Sequence, residues 1–208
     1  MLKGLFITIE GPDGSGKSTQ IKLLKDYLQN RGYDIVLTRE PGGTKISEKI
    51  RSIILDKENK SMHSKTEALL YAASRAQHVE ELIKPALKDN KIVICDRFID
   101  SSLIYQGIGR NLGIENIYNL NLFAMEDVIP DLTLLLDIDM NKAKKRKENR
   151  GNLDRLESEK DVFHEDVFNG YKKLKDLYPK RIKTVKANGN IKQVHEEIIN
   201  IINTFLEN

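Results

Sequence analysis

Short runs dominated by Ile, Val and Leu punctuate the chain at Leu5 to Ile9, Ile35 to Leu37, Ile92 to Cys95, Leu132 to Ile138 and Ile182 to Val185. Their length and composition predict strands buried on both faces, and the segments between them carry helical spacing. The last segment shows that period well. Ile191, Val194, Ile198, Ile201 and Phe205 fall on one face, opposite Lys192, Glu196, Glu197 and Asn200, which predicts a terminal helix packed on the sheet. Strands alternating with helices predict an α/β domain with a parallel sheet. Right-handed crossovers would put helices on both faces and leave the carboxyl ends of the strands along one edge, where a ligand is expected.

Composition narrows this picture. A chain of 208 residues, 39% of them apolar, is long enough for one substantial core and short for two, so residues 1–208 are read as a single domain. Basic and acidic residues nearly balance, 34 against 31, which gives no global reason to expect nucleic acid or a membrane as partner. A single cysteine, Cys95, allows no internal disulfide, and no leader pattern or span of about 20 apolar residues is present. Cytoplasm is the expected compartment. The four histidines are scattered without metal-ligand spacing, and Cys95, inside a strand, reads as a small core residue.

After the first strand comes Gly11-Pro12-Asp13-Gly14-Ser15-Gly16-Lys17-Ser18, which satisfies G-x-x-x-x-G-K-[ST] between a strand and a helix. Such a loop folds its backbone N–H groups around phosphates, and the helix beginning near Lys17 adds its positive end. Lys17 would neutralise the β and γ phosphates of a nucleotide, and Ser18 would ligate Mg2+. The loop identifies a donor and leaves the acceptor open.

The run Ile92 to Cys95 delivers Asp96 and Arg97 to the same edge. Asp96 can hold a metal, directly or through water, and Arg97 can clamp a second phosphate with two parallel hydrogen bonds, which suits an acceptor monophosphate. Asp137 and Asp139, at the end of another apolar run, are rival metal carboxylates without an adjoining arginine.

Three further stretches carry a resemblance: Thr38-Arg39-Glu40-Pro41-Gly42-Gly43-Thr44, Asp96-Arg97-Phe98, and Ser101-Ser102-Leu103-Ile104-Tyr105-Gln106-Gly107. In this order behind a phosphate loop they resemble the bacterial thymidylate kinases, from Leu5 to about Tyr178. The resemblance implies the nucleoside monophosphate kinase fold, a five-stranded parallel sheet flanked by helices, usually as a homodimer. It implies ATP as donor, Mg2+ as cofactor, dTMP as acceptor, and dTDP and ADP as products. By matching position it implies a thymine pocket from Tyr71, Arg75, Ser102 and Gln106, with Glu40 and Ser101 also on the dTMP side. Tyr105 corresponds to the aromatic at the sugar, Asp13 to the acid facing the acceptor's 3'-hydroxyl and the metal, and Arg51 and Arg97 to the clamps on its phosphate. Tyr71 stands where the family often has Phe, and Phe98 where Tyr is common. Both changes keep an aromatic ring.

From Lys142 to Arg155 seven basic residues face only Glu148 and Asp154, and the segment is read as a loop. The phosphate loop has Gly14 and Ser15 where some thymidylate kinases carry an arginine, so the cation for the migrating phosphoryl group must come from elsewhere. Arg150 to Glu157 resembles the lid of relatives that place it there. A lid over about 142–157 is expected, with Arg155 as the catalytic cation and Arg146 and Arg150 as helpers on ATP. The basic run carries no interleaved aromatic residues, which argues against a single-strand nucleic-acid site.

Overall fold

A computed structural model describes residues 4–148, 151 and 153–207. Strand β1 (Leu5–Glu10) is the middle of a five-stranded, wholly parallel sheet ordered β2-β3-β1-β4-β5, in which β2 is Ile35–Arg39, β3 Ile92–Asp96, β4 Leu132–Asp137 and β5 Ile182–Lys186. The apolar runs became strands within one or two residues of their expected ends. The exceptions to burial on both faces are the two edge strands, β2, whose residues are half-buried or exposed, and β5, whose Lys183 and Lys186 are exposed.

Successive side chains on a strand face opposite ways, and this divides the core into two layers. Ile7 and Ile9 of β1 join Ile92, Ile94, Leu134 and Leu136, packed by Ile21, Leu24 and Leu28 of α1 (Lys17–Asn30) and by Val194, Ile198 and Ile202 of α9 (Ile191–Leu206). The stripe of α9 is fully buried at Val194, Ile198 and Ile202 and half-buried against the same layer at Ile201 and Phe205, while Ile191, assigned to it from the period, is exposed. Phe6 faces the other way and joins Val93, Cys95 and Leu135. That layer is closed by α3 (Ser64–His78), α5 (Ile99–Ser102), α6 (Ile114–Met125) and α8 (Asp161–Leu177), with α2 (Lys45–Leu55) behind α3. A π-helical stretch, Val79–Ile83, links α3 to α4 (Lys84–Lys88), and a second, Leu103–Gly109, follows α5. Widened turns of this kind recur at functional sites, and the second carries Tyr105 and Gln106.

On the Phe6 side of β1, Thr8 and Glu10 make the layer partly polar. Thr8 Oγ1 lies 2.7 Å from Thr133 Oγ1, and Asp100 receives both guanidinium nitrogens of Arg181 at 2.6 and 2.7 Å. Buried charge is tolerated there because it is paired.

The expected loop from Lys142 is corrected. Residues Met140–Glu148 form helix α7, begun by Asp139, whose Oδ1 accepts the backbone N–H groups of Asn141 and Lys142 at 3.0 and 3.2 Å. Asp139 is thus a helix cap and not a metal carboxylate. Beyond α7 the chain returns to the body, where the Arg155 N–H donates to Leu55 O at 3.1 Å and Leu156 is buried.

Candidate active site

The turn from β1 into α1 forms the phosphate cradle. Gly14 has φ +82°, and a Cβ there would strike the Ala143 carbonyl of α7, so the loop can pass beneath that helix only with glycine at this position. Lys17 Nζ donates to Gly11 O at 2.9 Å and Pro12 O at 3.1 Å, holding the ammonium across the loop mouth. Burial, aided by the nearby Arg97 charge, pushes Lys17 down to about 8, a cost that phosphate charge would offset. Ser15 Oγ and Asp96 Oδ1 are buried without hydrogen-bond partners among the described residues.

Parallel pairing of β1 with β3 sets Ile9 opposite Asp96, so the residue after β3 emerges beside the cradle. That residue, Arg97, has φ +70°, a strained conformation for any residue but glycine and one that marks functional positions. Its Nη2 donates to Asp13 Oδ1 at 2.5 Å, and its Nη1 donates to Ser101 Oγ and Tyr171 OH, both at 3.0 Å. Tyr105 OH donates to Asp13 Oδ2 at 3.2 Å, and the Arg97 guanidinium lies 5.1 Å from the Tyr105 ring centre. Burial would raise the Asp13 carboxyl, but the Arg97 and Lys17 charges outweigh it and hold Asp13 well below the usual carboxylate range. Behind Arg97, Glu10 Oε2 accepts from the Ser101 hydroxyl at 2.7 Å and the Tyr171 hydroxyl at 3.0 Å, so the two oxygens that hold the guanidinium are themselves held.

At the far end of the cavity Arg75 is 1% exposed, which excludes a surface role. Its Nε donates to Glu40 Oε2 at 2.8 Å and its Nη2 to Ser102 Oγ at 3.1 Å, with Asn121 Oδ1 taking Nη1. Glu40 also faces His78 Nδ1 at 3.0 Å, and His78 Nε2 faces Thr38 Oγ1 at 2.6 Å. The Phe98 ring lies 5.0 Å from the Arg75 guanidinium. Arg51 donates to Pro41 O at 2.7 Å from the side wall.

These groups line one cavity of about 790 Å³. Of the residues expected on the donor side, Asp13, Gly14, Gly16, Lys17, Ser18 and Arg146 line it. Of those expected on the acceptor side, Glu40, Arg51, Tyr71, Arg75, Ser101, Ser102, Tyr105 and Gln106 line it too, as do Asp96 and Arg97 between the two. Gly11, Pro12 and Ser15 belong to the loop behind its wall, and Arg150 lies outside the described residues.

Arg155 is the departure. Its Nη2 donates to Glu67 Oε2 at 2.7 Å and its Nε to Ile54 O at 2.7 Å, with the side chain buried against α2 and α3 and outside the cavity. A carboxylate and a helix-end carbonyl within reach satisfy the guanidinium better than solvent would. Arg146 on α7 does stand beside the cradle, with its Nη1 3.5 Å from Gly14 O.

Residues missed from the sequence lie behind the cavity surface and bond to those that line it: Glu10, Tyr171, Glu67, Asn121 and His78. Glu10 left a signal, a lone acid closing an apolar strand directly before the glycine loop. Tyr171 left none, because its distance from Arg97 along the chain hides the contact. Arg39, read only as part of a motif, also lines the cavity.

No group of three or more His, Cys, Asp or Glu residues that could hold a metal occurs among the described residues. The site nevertheless fits Mg2+, which takes one or two protein ligands and completes its octahedron with phosphate oxygens and water. The unpartnered Asp96 Oδ1 and the Ser18 hydroxyl beside the cradle are the groups that suit it. Among the described residues no helix is long and apolar enough to cross a membrane.

Comparison with known proteins agrees with this geometry. The family model for thymidylate kinase matches residues 9–198. The thymidylate kinase of Finegoldia magna is 54% identical over 198 residues, covering 95% of this chain and 97% of that protein. That of Lactobacillus delbrueckii subsp. bulgaricus is 50% identical over 210 residues, covering 99% of each. The crystal structure of thymidylate kinase from Ehrlichia chaffeensis superposes with a TM-score of 0.77 at 36% identity, covering 96% of this chain and 98% of that one. This extent of similarity over nearly the whole chain places it in the thymidylate kinase family.

Proposed function

We propose that this cavity carries in-line transfer of the γ-phosphate of ATP to dTMP, giving dTDP and ADP. The observation that carries the reading is the continuity of one cavity from the Lys17 cradle to the buried Arg75, with Arg97 between them. Phosphoryl transfer needs positioning and charge stabilisation more than covalent chemistry, and the residues divide accordingly. The cradle N–H groups and Lys17 hold the donor. Arg97 and Arg51 hold the acceptor phosphate, whose oxygen is already an anionic nucleophile, so no strong general base is required. Asp13, fixed between Arg97 and Tyr105, faces the acceptor sugar. Tyr71 offers a ring to the base, and Arg75 a donor to a base carbonyl.

Ser18 and Asp96 would hold Mg2+, which neutralises phosphate charge when bound. Arg146 supplies lid charge at the donor in place of the role expected for Arg155, which acts from its site on Glu67. The chain works as a single domain with residues 142–157 as its lid, in the cytoplasm, without nucleic acid or membrane as partner. Exposed Leu69 on α3, and Leu122 and Phe123 on the adjoining α6, support a homodimer.

The test is ADP release with ATP and Mg2+ across a panel of nucleoside monophosphates. Release with dTMP well above that with buffer is expected; release equal to buffer sinks the reading.

A further inference from the structure

Glu67, in the first turn of α3, is fully buried and lies outside the cavity, yet it meets the cavity wall at one residue. Its Oε1 accepts from Gln106 Nε2 at 2.9 Å. The same carboxylate accepts from Arg110 Nη2 at 3.0 Å and Arg155 Nη2 at 2.7 Å. Burial would raise the Glu67 carboxyl, but hydrogen bonds from Arg110 and Gln106 outweigh it and lower it below the ordinary value, so it is ionised at neutral pH.

An ionised carboxylate accepts and cannot donate. The primary amide of Gln106 carries two donors on nitrogen and an acceptor oxygen, and only its nitrogen can face Glu67. The choice between the two amide orientations is thereby made by chemistry. What remains is Gln106 Oε1, buried and without a partner among the described residues, on a fully buried side chain that lines the cavity.

We infer that Glu67 is a specificity-determining positioning residue: by taking the amide N–H of Gln106 it forces the Gln106 carbonyl to be the acceptor offered to the base. The inference rests on the reading of this cavity end as the base pocket and goes beyond it by naming what sets the pocket's polarity. A 2,4-dioxopyrimidine presents an N3–H donor beside a carbonyl. Gln106 Oε1 matches the N–H, and the Arg75 guanidinium, which is donor only, matches the carbonyl. Cytosine reverses both, with an acceptor at N3 beside an amino group, so it would set lone pair against lone pair and donor against donor. A pocket built to pair one pattern rejects the reversed one because buried polar groups are left unpaired.

The test is Glu67→Gln, which keeps the shape but can face Gln106 with either its oxygen or its nitrogen. The readout is the ratio of kcat/KM for dTMP to that for dCMP. We expect this ratio to fall about tenfold, the worth of roughly one buried hydrogen bond, through opposite changes in the two KM values. Arg110→Lys loses the forked hydrogen bonds but keeps a cation beside the carboxylate, so the ratio should hold within about twofold although stability drops. Equal losses for both acceptors in Glu67→Gln, with the ratio unchanged, would reduce Glu67 to a structural anchor and overturn the inference. If Glu67→Gln fails to fold, the wild-type protein decides. The N3-methyl analogue of dTMP, which keeps both carbonyls and loses the N3–H, should bind at least about tenfold more weakly than dTMP, and equal affinity overturns the inference. Failure of the wild-type protein to phosphorylate dTMP at all is a separate result, which strikes the assigned substrate.

Discussion

Replacing Glu10 with Gln measures what it costs to keep a buried charge behind Arg97. The carboxylate is 0% exposed at the end of β1, with Oε1 accepting the N–H groups of Phe98 at 2.8 Å and Ser101 at 3.3 Å, and Oε2 accepting the Ser101 and Tyr171 hydroxyls. Burial, then repulsion from Asp100, push it up from an ordinary 4.5 to about 7, against the pull of Arg97. Between those values the folded chain keeps a proton that the unfolded chain has released. The stability from this group is therefore full below pH 4.5 and is lost as pH rises through 7. The shift corresponds to about 3 kcal/mol in all, of which about 2 kcal/mol falls between pH 5.5 and 8.5.

Glu10→Gln has no proton to lose. The stability difference, wild type minus variant, should therefore move by about 2 kcal/mol in favour of the variant between pH 5.5 and 8.5, or about 4–8 °C in Tm for a chain of this length. Subtracting the two proteins cancels groups that titrate alike in both. Urea unfolding followed by circular dichroism at three pH values reads the difference directly, and a constant gap would refute the argument. Activity should change the other way. The two hydroxyls donate to one carboxylate oxygen and the Phe98 and Ser101 N–H groups to the other, and a Gln can offer its single carbonyl oxygen to only one of these pairs, so the groups around Ser101 that hold Arg97 Nη1 lose their positions and kcat should fall about tenfold with little change in KM for ATP.

Three other substitutions probe separate parts of the construction. Gly14→Ala drives a Cβ into the Ala143 carbonyl at a φ of +82°, so KM for ATP should rise at least about tenfold in steady-state assays, and strain of about 1–3 kcal/mol should lower the Tm by about 2–12 °C. Arg181→Met leaves Asp100 buried and unpaired and should cost about 3 kcal/mol, read as a Tm drop of about 6–12 °C, with kcat within about twofold of wild type at 25 °C. Arg146→Ala should lower kcat by about a hundredfold or more, the usual scale for removing a charge-stabilising group, whereas Arg155→Ala should act mainly on stability by freeing the segment from Glu67; the reverse ranking in single-turnover assays would return the catalytic role to Arg155.

The sheet was legible because runs of Ile, Val and Leu as short as Ile92 to Cys95 have one economical solution, a strand covered on both faces, and the glycine loop fixes which strand end meets the phosphates. β2 and β5 escaped that reading because a residue's place at the sheet edge depends on which strands neighbour it, and strand order is not a local property. Many of the cavity-facing residues could be named from the sequence because each stands in a recognisable run, whereas Arg39, Thr19 and Glu157 line the cavity without having been expected there. Glu10, Glu67 and Tyr171 carry equally strong groups but face other side chains, at separations along the chain as long as the 161 residues between Glu10 and Tyr171. Arg155 shows the same limit from the opposite side. Its charge and position suit a lid, yet Glu67, 88 residues earlier in the chain, takes the guanidinium in the folded chain. A sequence displays which groups can touch a ligand; which groups decide how those first groups point emerges only when the elements are packed, and in this site that second choice sets both the acceptor face of Gln106 and the cation that reaches the cradle.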